Sequence, residues 1–256
     1  MESLSVRSVH VHFGGLRALD GVDLEVPEGS IYGLIGPNGA GKTTLFNCVS
    51  RFQDYSEGSV RYRGHDLGPR SPHQVVRLGI ARTFQNINLF RSRSTLDNIL
   101  IGMHSHIGNP LAVMLSLPSG LRRETAMRAR AGRLAEMLGL GEVLEQQVVH
   151  LPFGHQKRVE LARALASEPS LLLLDEPVAG CNEEETSEIG EIIRRINREL
   201  GVTVTVVEHD MSLVSAICHA VTVLDFGRNI ARGAPTDILN HPAVVEAYLG
   251  EATVGA

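Results

Sequence analysis

The 256-residue chain has 24 lysines and arginines against 29 aspartates and glutamates, and its formal net charge of −5 disfavours binding of nucleic acid through bulk charge. Hydrophobic residues make up 43% and charged residues 21%, which excludes disordered, collagen-like and membrane-spanning compositions. Three dispersed cysteines, Cys48, Cys181 and Cys218, fit neither a disulfide framework nor a paired metal motif, and they indicate a reducing compartment.

The predicted elements begin with short β-strands. Apolar runs at 6–13, 22–26 and 31–35 are each bounded by glycine, proline or aspartate, which is typical of strands. The first residues contain an early acid and no apolar segment, so we expect no signal peptide. No stretch approaches the ~18 uninterrupted apolar residues of a spanning helix, so we expect the chain to serve a membrane, if at all, from outside it.

A glycine-rich segment follows the third strand. Residues 36–43 fit G-x-x-x-x-G-K-[ST], and the helix of residues 45–49 opens after them. In this context successive backbone N–H groups can face a triphosphate, Lys42 can neutralise its β and γ oxygens, and the Thr43 hydroxyl can ligate Mg²⁺. The alternative is a glycine-rich turn without a ligand. The residues predicted to bind ATP here are Gly36, Pro37, Asn38, Gly39, Ala40, Gly41, Lys42, Thr43 and Thr44.

Between residues 91 and 158 the sequence pattern changes from short strand-like runs to helical periodicity. Helix formers with leucine and methionine at helical spacing run over 122–138, after breakers at 108–110 and 118–120, which predicts an inserted helical subdomain over 91–158. The helix has a basic face, which either meets an acidic partner or lipid or, in the interpretation we favour, is solvated. Its arginines are Arg122, Arg123, Arg128, Arg130 and Arg133.

A strand, a helix and two more strands follow the insert. The wholly apolar run 171–174 is typical of a strand that is buried on both faces of a parallel sheet. The next helix has acids at its start, arginines near its end and a stop at Gly201. Strands at 202–207 and 221–224 complete a strand–helix–strand pattern, so we predict an α/β fold. The helix buries one stripe, consisting of Ile189, Ile192, Ile193, Ile196 and Leu200.

Two carboxylates stand at the end of the apolar strand. A parallel strand delivers its last side chains to the carboxyl edge of the sheet, which is the usual ligand edge of such folds. There Asp175 can hold the Mg²⁺ shell, and Glu176 can polarise the water that attacks the γ-phosphorus. Such a pair alone would more often cap a helix, but the phosphate loop favours the catalytic interpretation.

The phosphate loop and the carboxylate pair together resemble the ATP-binding subunits of ABC transporters. In that family a loop glutamine senses Mg²⁺ and contacts the membrane subunit, and Gln85 in Ala-Arg-Thr-Phe-Gln matches it. A switch histidine reaches the γ-phosphate, and His209 in Val-Glu-His-Asp-Met matches it. Phe13 falls where the family stacks an aromatic ring on adenine. Each residue has an alternative interpretation: Gln85 as a surface amide, His209 as a histidine at a strand end, and Phe13 as part of the core.

The resemblance implies the complete architecture and site. The fold would be a P-loop NTPase of the ABC type, with a mostly parallel core sheet and an antiparallel β subdomain. One ATPase domain would span 1–256, with its nucleotide-binding core in 1–90 and 159–256 and the helical subdomain in 91–158. The catalytic residues would be Glu176, His209, Lys42 and Gln85. The metal ligands would be Thr43, Gln85 and Asp175.

The family's signature segment is altered in this chain. It corresponds to residues 151–156, where Pro152 stands in place of serine and His155 in place of glutamine or glutamate. Pro152 has no hydroxyl or amide hydrogen to hold a γ-phosphate, but Gly154 permits close backbone approach and the following helix points its N-terminus at an anion. We expect Gly154 to bind the second nucleotide and hydrolysis to be retained. Protonation of His155 is a hypothesis for pH-sensitive closure.

Residues 179–182 match the loop that in the family crosses between two ATPase subunits. Asn182 replaces the more general aspartate. Cys181 would lie near the subunit contact, so one hypothesis is that its oxidation slows turnover; the other is that it is a small filler residue.

Four segments narrow the resemblance to one branch of the family. Residues 13–19, 79–85, 207–211 and 247–250 are similar to the ATPase of branched-chain amino-acid importers. The expected function is ATP hydrolysis that energises such an importer. Relatives of this branch energise uptake of urea, amides or other small solutes, which remain the alternative cargo because a nucleotide-binding subunit does not touch cargo.

The resemblance also implies partners and location. Two ATPase subunits, as a homodimer or a paralogous heterodimer, would close on two ATP molecules with Mg²⁺. A permease helix would dock between the Gln85 loop and the helical insert, on Asn86 to Arg93, and a solute-binding protein would take part only indirectly. We expect no nucleic-acid partner and a cytoplasmic location, peripheral at the inner face of the cell membrane.

Functions of other classes remain open from the sequence. Pro152 and His155 are compatible with a binding switch that closes on ATP but scarcely hydrolyses it. A soluble ABC ATPase of translation or DNA maintenance is a second rival, although the chain has neither tandem cassettes nor a long coiled coil. A phosphoryl-transfer kinase would leave segment 151–156 and His209 unexplained.

Overall fold

Two β-sheets and the helices around them organise the chain. The computed structural model describes residues 2–85, 87–103 and 118–254, so Asn86 and the predicted breakers at 108–110 lie outside the described residues. The strands in these ranges are β1 (Glu2–Phe13), β2 (Leu16–Pro27), β3 (Ile31–Ile35), β4 (Glu57–Tyr62), β5 (His65–Asp66), β6 (Ile80–Arg82), β7 (Leu171–Asp175), β8 (Thr203–Val207), β9 (Ala220–Asp225) and β10 (Arg228–Gly233). The helices are α1 (Lys42–Val49), α2 (Pro72–Arg77), α3 (Thr95–Gly102), α4 (Pro118–Met137), α5 (Phe153–Leu165), α6 (Glu183–Leu200), α7 (Met211–Ile217), α8 (Pro235–Leu239) and α9 (Pro242–Val254).

The larger sheet has the strand order β10-β9-β3-β8-β7-β6. All neighbouring strands are parallel except β10, which runs antiparallel to β9. The register pairs Asp175 at the end of β7 with Val207 at the end of β8. Residues that follow β3, β7 and β8 therefore meet at one edge of the sheet, as the sequence analysis expected for the functional residues.

The smaller sheet is antiparallel, with the order β2-β1-β4-β5. Strands β1 and β2 form a hairpin over Gly14 and Gly15, and both are longer than the predicted runs. The prediction of a mostly parallel core sheet joined to an antiparallel β subdomain is confirmed. Among the described residues the smaller sheet also contains β4 and β5, which the sequence analysis did not identify.

Strand β7 separates two apolar cores. Leu172 and Leu174 belong to the core that also contains the helical residues, while Leu171 and Leu173 belong to the core beneath the smaller sheet. Because successive side chains of a strand point to opposite faces, both faces of β7 are apolar and the whole run is buried. This arrangement explains the continuous leucine sequence and fixes where Asp175 emerges.

Helix α6 begins and ends as predicted, but its apolar stripe is one residue shorter. The four isoleucines of the predicted stripe are buried. Leu200, the last helical residue, is 46% exposed, so its predicted burial was wrong. It lines a surface groove together with Leu134 and Met137, at the last position of the helix before the C-cap Gly201, whose φ is 66°.

Helices α3, α4 and α5 form the helical region of the predicted insert. Helix α4 begins at Pro118, four residues before the predicted start, since proline is tolerated in the first turn of a helix. Helices α3 and α5 approach closely at Gly102, where a Cβ atom would lie 2.0 Å from the carbonyl oxygen of Arg163. The predicted boundary at 158 falls inside the continuous helix α5. None of the helices in the described residues has the length and apolar character of a membrane span.

Candidate functional site

The glycine-rich loop after β3 folds around the side chain of Lys42. The Nζ atom of Lys42 donates to the carbonyl oxygens of Gly36 at 2.7 Å and Pro37 at 2.8 Å, and the side chain is buried. Gly36, Gly39 and Gly41 have φ values of 148°, 78° and 100°, which glycine adopts without a Cβ clash. At Gly36 a Cβ atom would also lie 2.0 Å from a carbonyl oxygen of β9. The loop therefore gathers a cation and backbone amides at the N-terminus of α1.

The remaining residues of the loop differ in exposure. Asn38 is exposed, and Ala40 is buried beneath the loop. On the first turn of α1 the Thr43 side chain is exposed and Thr44 is half-buried. The hydroxyl of Thr43 is thus accessible to a ligand bound at the loop.

Two clefts open beside the loop and share Gln85. The first, of about 410 Å³, is lined by Gly36, Pro37, Asn38, Gln85, Glu176, His209 and Tyr248. The second, of about 470 Å³, has Thr43, Asn47, Arg82, Gln85 and Asp175 among its lining residues. The first cleft unites predicted phosphate-binding and catalytic residues, and the second unites the three predicted metal ligands. Tyr248, on the C-terminal helix α9, was assigned no site role from the sequence.

Glu176 has a constrained backbone and an accessible carboxylate. Its φ is 49°, a left-handed value that costs a non-glycine residue about 1–3 kcal/mol. Its backbone N–H donates to the carbonyl oxygen of Val207 at 2.9 Å. The Nε2 atom of Gln85 donates to its Oε2 atom at 2.9 Å. The loop glutamine and the candidate base are thus in direct contact across 91 positions of sequence.

The second cleft suits a divalent cation. The Oδ2 atom of Asp175 accepts a hydrogen bond from Arg82, whereas its buried Oδ1 atom has no hydrogen-bond partner among the described residues. The Thr43 hydroxyl and the Gln85 amide line the same cleft. Carboxylate, hydroxyl and amide oxygens are suitable ligands of Mg²⁺. Burial raises the pKa of the Asp175 carboxyl, and the hydrogen bond from Arg82 opposes that shift.

His209 projects into the first cleft with its side chain 58% exposed. The loop that carries it is held by Glu208, which is fully buried. The carboxylate of Glu208 accepts from the backbone N–H groups of His209 at 3.1 Å, Asp210 at 3.3 Å and Val178 at 3.2 Å. Burial raises the pKa of Glu208. Glu208 was not among the residues predicted from the sequence, although its position next to the predicted switch histidine was a usable signal.

The altered signature segment forms the start of α5, and Pro152 is the N-cap residue. The backbone N–H of Gly154 donates to Oε1 of Glu185 at 3.2 Å, and a Cβ atom at Gly154 would lie 2.7 Å from that oxygen. His155 is half-buried. The amide expected to face the second nucleotide therefore meets a carboxylate of its own chain here, and the predicted contact with nucleotide stays a prediction.

The loop after β7 is organised by a reciprocal cap. Oδ1 of Asn182 accepts from the backbone N–H of Glu185 at 2.9 Å, and Oε2 of Glu185 accepts from the backbone N–H of Asn182 at 3.1 Å. Burial raises the pKa of the neighbouring Cys181 thiol, which lowers its reactivity. Its oxidation sensitivity stays a hypothesis.

Phe13 does not line either cleft. It ends β1 next to the hairpin turn and is 48% exposed. The side chain is therefore available for stacking, and its adenine contact stays a prediction.

Comparison with known proteins gives consistent matches. The family model described as "ABC transporter" matches residues 19–179, and one described as "Branched-chain amino acid ATP-binding cassette transporter" matches residues 228–253. The high-affinity branched-chain amino acid transport ATP-binding protein LivG of Escherichia coli is 40% identical over 250 residues, which cover 97% of this chain and 98% of LivG. The corresponding protein BraF of Pseudomonas aeruginosa is 39% identical over the same shares.

Solved structures agree with these sequence matches. A nucleotide-free ATP-binding cassette from an ABC transporter superposes with a TM-score of 0.85 at 30% identity, covering 97% of this chain and 99% of that one. A dimeric ATP-binding cassette in a post-hydrolysis state, bound to ADP and Pi, superposes with a TM-score of 0.76 at 25% identity, covering 91% of this chain and 98% of that one.

Proposed function

The chain belongs to the ABC transporter family as an ATP-binding, ATP-hydrolysing cassette, and we propose that it energises an importer of branched-chain amino acids. The assignment of ATP hydrolysis rests on one cleft, which is lined by the phosphate loop, Gln85, Glu176 and His209. The cargo assignment rests on two branched-chain amino acid transport ATP-binding proteins, LivG and BraF, which match the chain at about 40% identity over nearly its full length.

In the mechanism we propose, the phosphate loop binds and orients the nucleotide. Lys42 and the amides at the start of α1 offset charge on the β- and γ-phosphate oxygens. Glu176 accepts a proton from the water that attacks the γ-phosphorus, while the bond from this phosphorus to the β,γ-bridging oxygen breaks and ADP leaves. Gln85, in hydrogen-bond contact with the Glu176 carboxylate, holds it in position. His209, which lines the same cleft, donates a hydrogen bond to the transferring phosphoryl group.

Magnesium fits the second cleft. Asp175, Thr43 and Gln85 would hold the ion, which would supply charge stabilisation on the phosphate oxygens when bound. The support is the buried Oδ1 atom of Asp175, which points to a ligand other than a protein donor.

Cassettes of this family dimerise and act with membrane permease subunits. For this chain we propose a homodimer or a paralogous heterodimer in which each ATP lies between one phosphate loop and the partner's Gly154 segment. In the single chain the backbone N–H of Gly154 donates to the Glu185 carboxylate. Dimer closure would therefore replace this carboxylate by a phosphate of the partner's nucleotide at the N-terminus of α5.

The permease would dock beside the Gln85 loop. Phe52, Phe84 and Phe90 are 60%, 37% and 54% exposed, and the rings of Phe52 and Phe84 meet edge-on at 5.8 Å. Exposed aromatic side chains of this kind are enriched at protein interfaces. Docking there would place the protein at the cytoplasmic face of the cell membrane. The variant Phe84→Ser should lose co-purification with the permease but retain ATP binding.

The function is tested by reconstitution. Proteoliposomes containing this chain, its permease subunits and the solute-binding protein should accumulate radiolabelled leucine when ATP is enclosed, and phosphate release should rise with cargo. Uptake of urea or an amide in place of leucine would overturn the cargo assignment. ATP binding without phosphate release under these conditions would favour the binding switch over the ATPase.

A further inference from the structure

Arg82 lines the second cleft, and from the end of β6 its guanidinium bonds to two other elements, α1 and β7. Its Nη2 atom donates to Oδ2 of Asp175 at 2.7 Å, and its Nη1 atom donates to Oδ1 of Asn47 at 2.7 Å and to Oγ of Ser50 at 3.0 Å. The side chains of Arg82 and Asp175 are only 5% and 2% exposed. The guanidinium carbon also lies 5.3 Å from the centroid of the Phe84 ring.

The three candidate metal ligands lie on α1, on β7 and in the loop that follows β6. Asn47 belongs to α1 and Ser50 is its C-cap, and α1 bears Thr43 on its first turn. Asp175 ends β7, and Arg82 itself ends β6, three residues before Gln85. A single planar donor therefore connects every part of the chain from which a ligand would come. Arginine suits this role, because its fixed fork can bond several acceptors at once and a lysine ammonium cannot reproduce that geometry.

The two oxygens of Asp175 are treated differently. Arg82 holds Oδ2, whereas the buried Oδ1 has no hydrogen-bond donor among the described residues. A carboxylate anchored through one oxygen cannot rotate freely, so the position of the other oxygen is fixed as well, on a residue that lines the second cleft. Groups that orient a metal ligand through hydrogen bonds commonly change metal affinity by about 10–100-fold when removed.

We propose that Arg82 is a positioning residue for the metal site: it fixes Asp175 with Oδ1 presented to Mg²⁺ and ties this carboxylate to the helix that carries Thr43. The inference rests on the proposed magnesium site. Arg82 also brings a positive charge near the cation, which by itself would weaken metal binding. The lost anchoring outweighs this repulsion, because a carboxylate that is no longer held through Oδ2 can rotate its Oδ1 atom away from the ion.

The experiment measures how much Mg²⁺ improves nucleotide binding. Calorimetry gives the Kd of a non-hydrolysable ATP analogue in excess EDTA and again in Mg²⁺, and the ratio of the two is the metal-dependent gain. In Arg82→Met we expect the gain to fall at least about tenfold, with the Kd in EDTA unchanged. Bound Mn²⁺, counted by electron paramagnetic resonance in the presence of the analogue, should weaken in parallel.

Two further variants and a control separate positioning from folding. Arg82→Lys keeps the positive charge but loses the planar set of donors, so its metal-dependent gain should lie between those of the wild type and Arg82→Met. If Arg82→Met does not fold, Arg82→Lys replaces it in the comparison with the wild type. Asn47→Ala removes the shorter of the two hydrogen bonds between Arg82 and α1 and should lower the gain by less than Arg82→Met does. Arg51→Met removes a similarly buried arginine, which pairs with Asp54 outside the clefts, and should leave the gain unchanged.

The outcomes distinguish this inference from the proposed function. If the wild type shows no metal-dependent gain, the magnesium site and the role of Arg82 are both wrong. If the wild type shows the gain and Arg82→Met keeps or increases it, only the positioning role is wrong. A loss of thermal stability with an unchanged gain would assign Arg82 a purely structural role and overturn the inference.

Discussion

The substitution Glu176→Gln distinguishes a catalytic role of the candidate base from a structural one. Glutamine has the same shape as glutamate, and its carbonyl oxygen can still accept from Gln85, while the backbone bond to Val207 is unaffected. Replacing a charge-assisted hydrogen bond by a neutral one at a half-buried side chain costs about 1 kcal/mol of stability. Loss of a general base instead slows proton transfer by about 10²–10⁴-fold, or roughly 3–5 kcal/mol in the barrier.

The two magnitudes predict a variant that folds and binds ATP but scarcely hydrolyses it. Single-turnover phosphate release measures the chemical step, and size-exclusion chromatography with ATP measures the closed dimer, which should accumulate. Glu183→Gln makes the same charge change at an exposed position on the first turn of α6 and should hydrolyse normally. Hydrolysis by Glu176→Gln at the wild-type rate, or an equal loss in Glu183→Gln, would refute the assignment of the base.

Three other predictions concern the fold around the site. Gly36→Ala should abolish ATP binding and strongly destabilise the chain, because its Cβ would lie 2.0 Å from a carbonyl oxygen of β9. In Gly39→Ala the new Cβ would have no atom within 4 Å, so the free energy of unfolding should fall by only about 1–2 kcal/mol. Urea denaturation measures both changes. Asn182→Ala should lower the free energy of unfolding by about 1 kcal/mol and Asn182→Asp should not, whereas equal losses in both would contradict the cap. Burial raises the pKa of Glu208 above 4.5, so the folded state binds this proton at a higher pH than the unfolded state. Stability should therefore fall as pH rises from 4.5 through the raised pKa, and Glu208→Gln should remove that slope in denaturation at a series of pH values.

The predictable parts of the site are those that depend on neighbouring residues. The strand–loop–helix order around Lys42 is local, and an eight-residue pattern specifies both the glycine conformations and the helix start. The leucine run of β7 likewise predicts a strand that is buried on both faces. It therefore also predicts the sheet edge at which Asp175 and Glu176 lie. The burial of Leu200 was predicted wrongly, because periodicity alone does not show where the sheet stops covering a helix.

The amino-acid sequence by itself determined the fold class, the phosphate loop, the carboxylate pair and the family, because each depends on short-range patterns of residue type. Only the tertiary structure decided how these parts are held. Arg82 reaches Asp175 across 93 positions, Glu185 reaches Gly154 across 31, and Tyr248 joins the cleft from the C-terminal helix. Such contacts depend on strand order and helix packing, which bring distant segments to one sheet edge and leave no periodic signal in the chain.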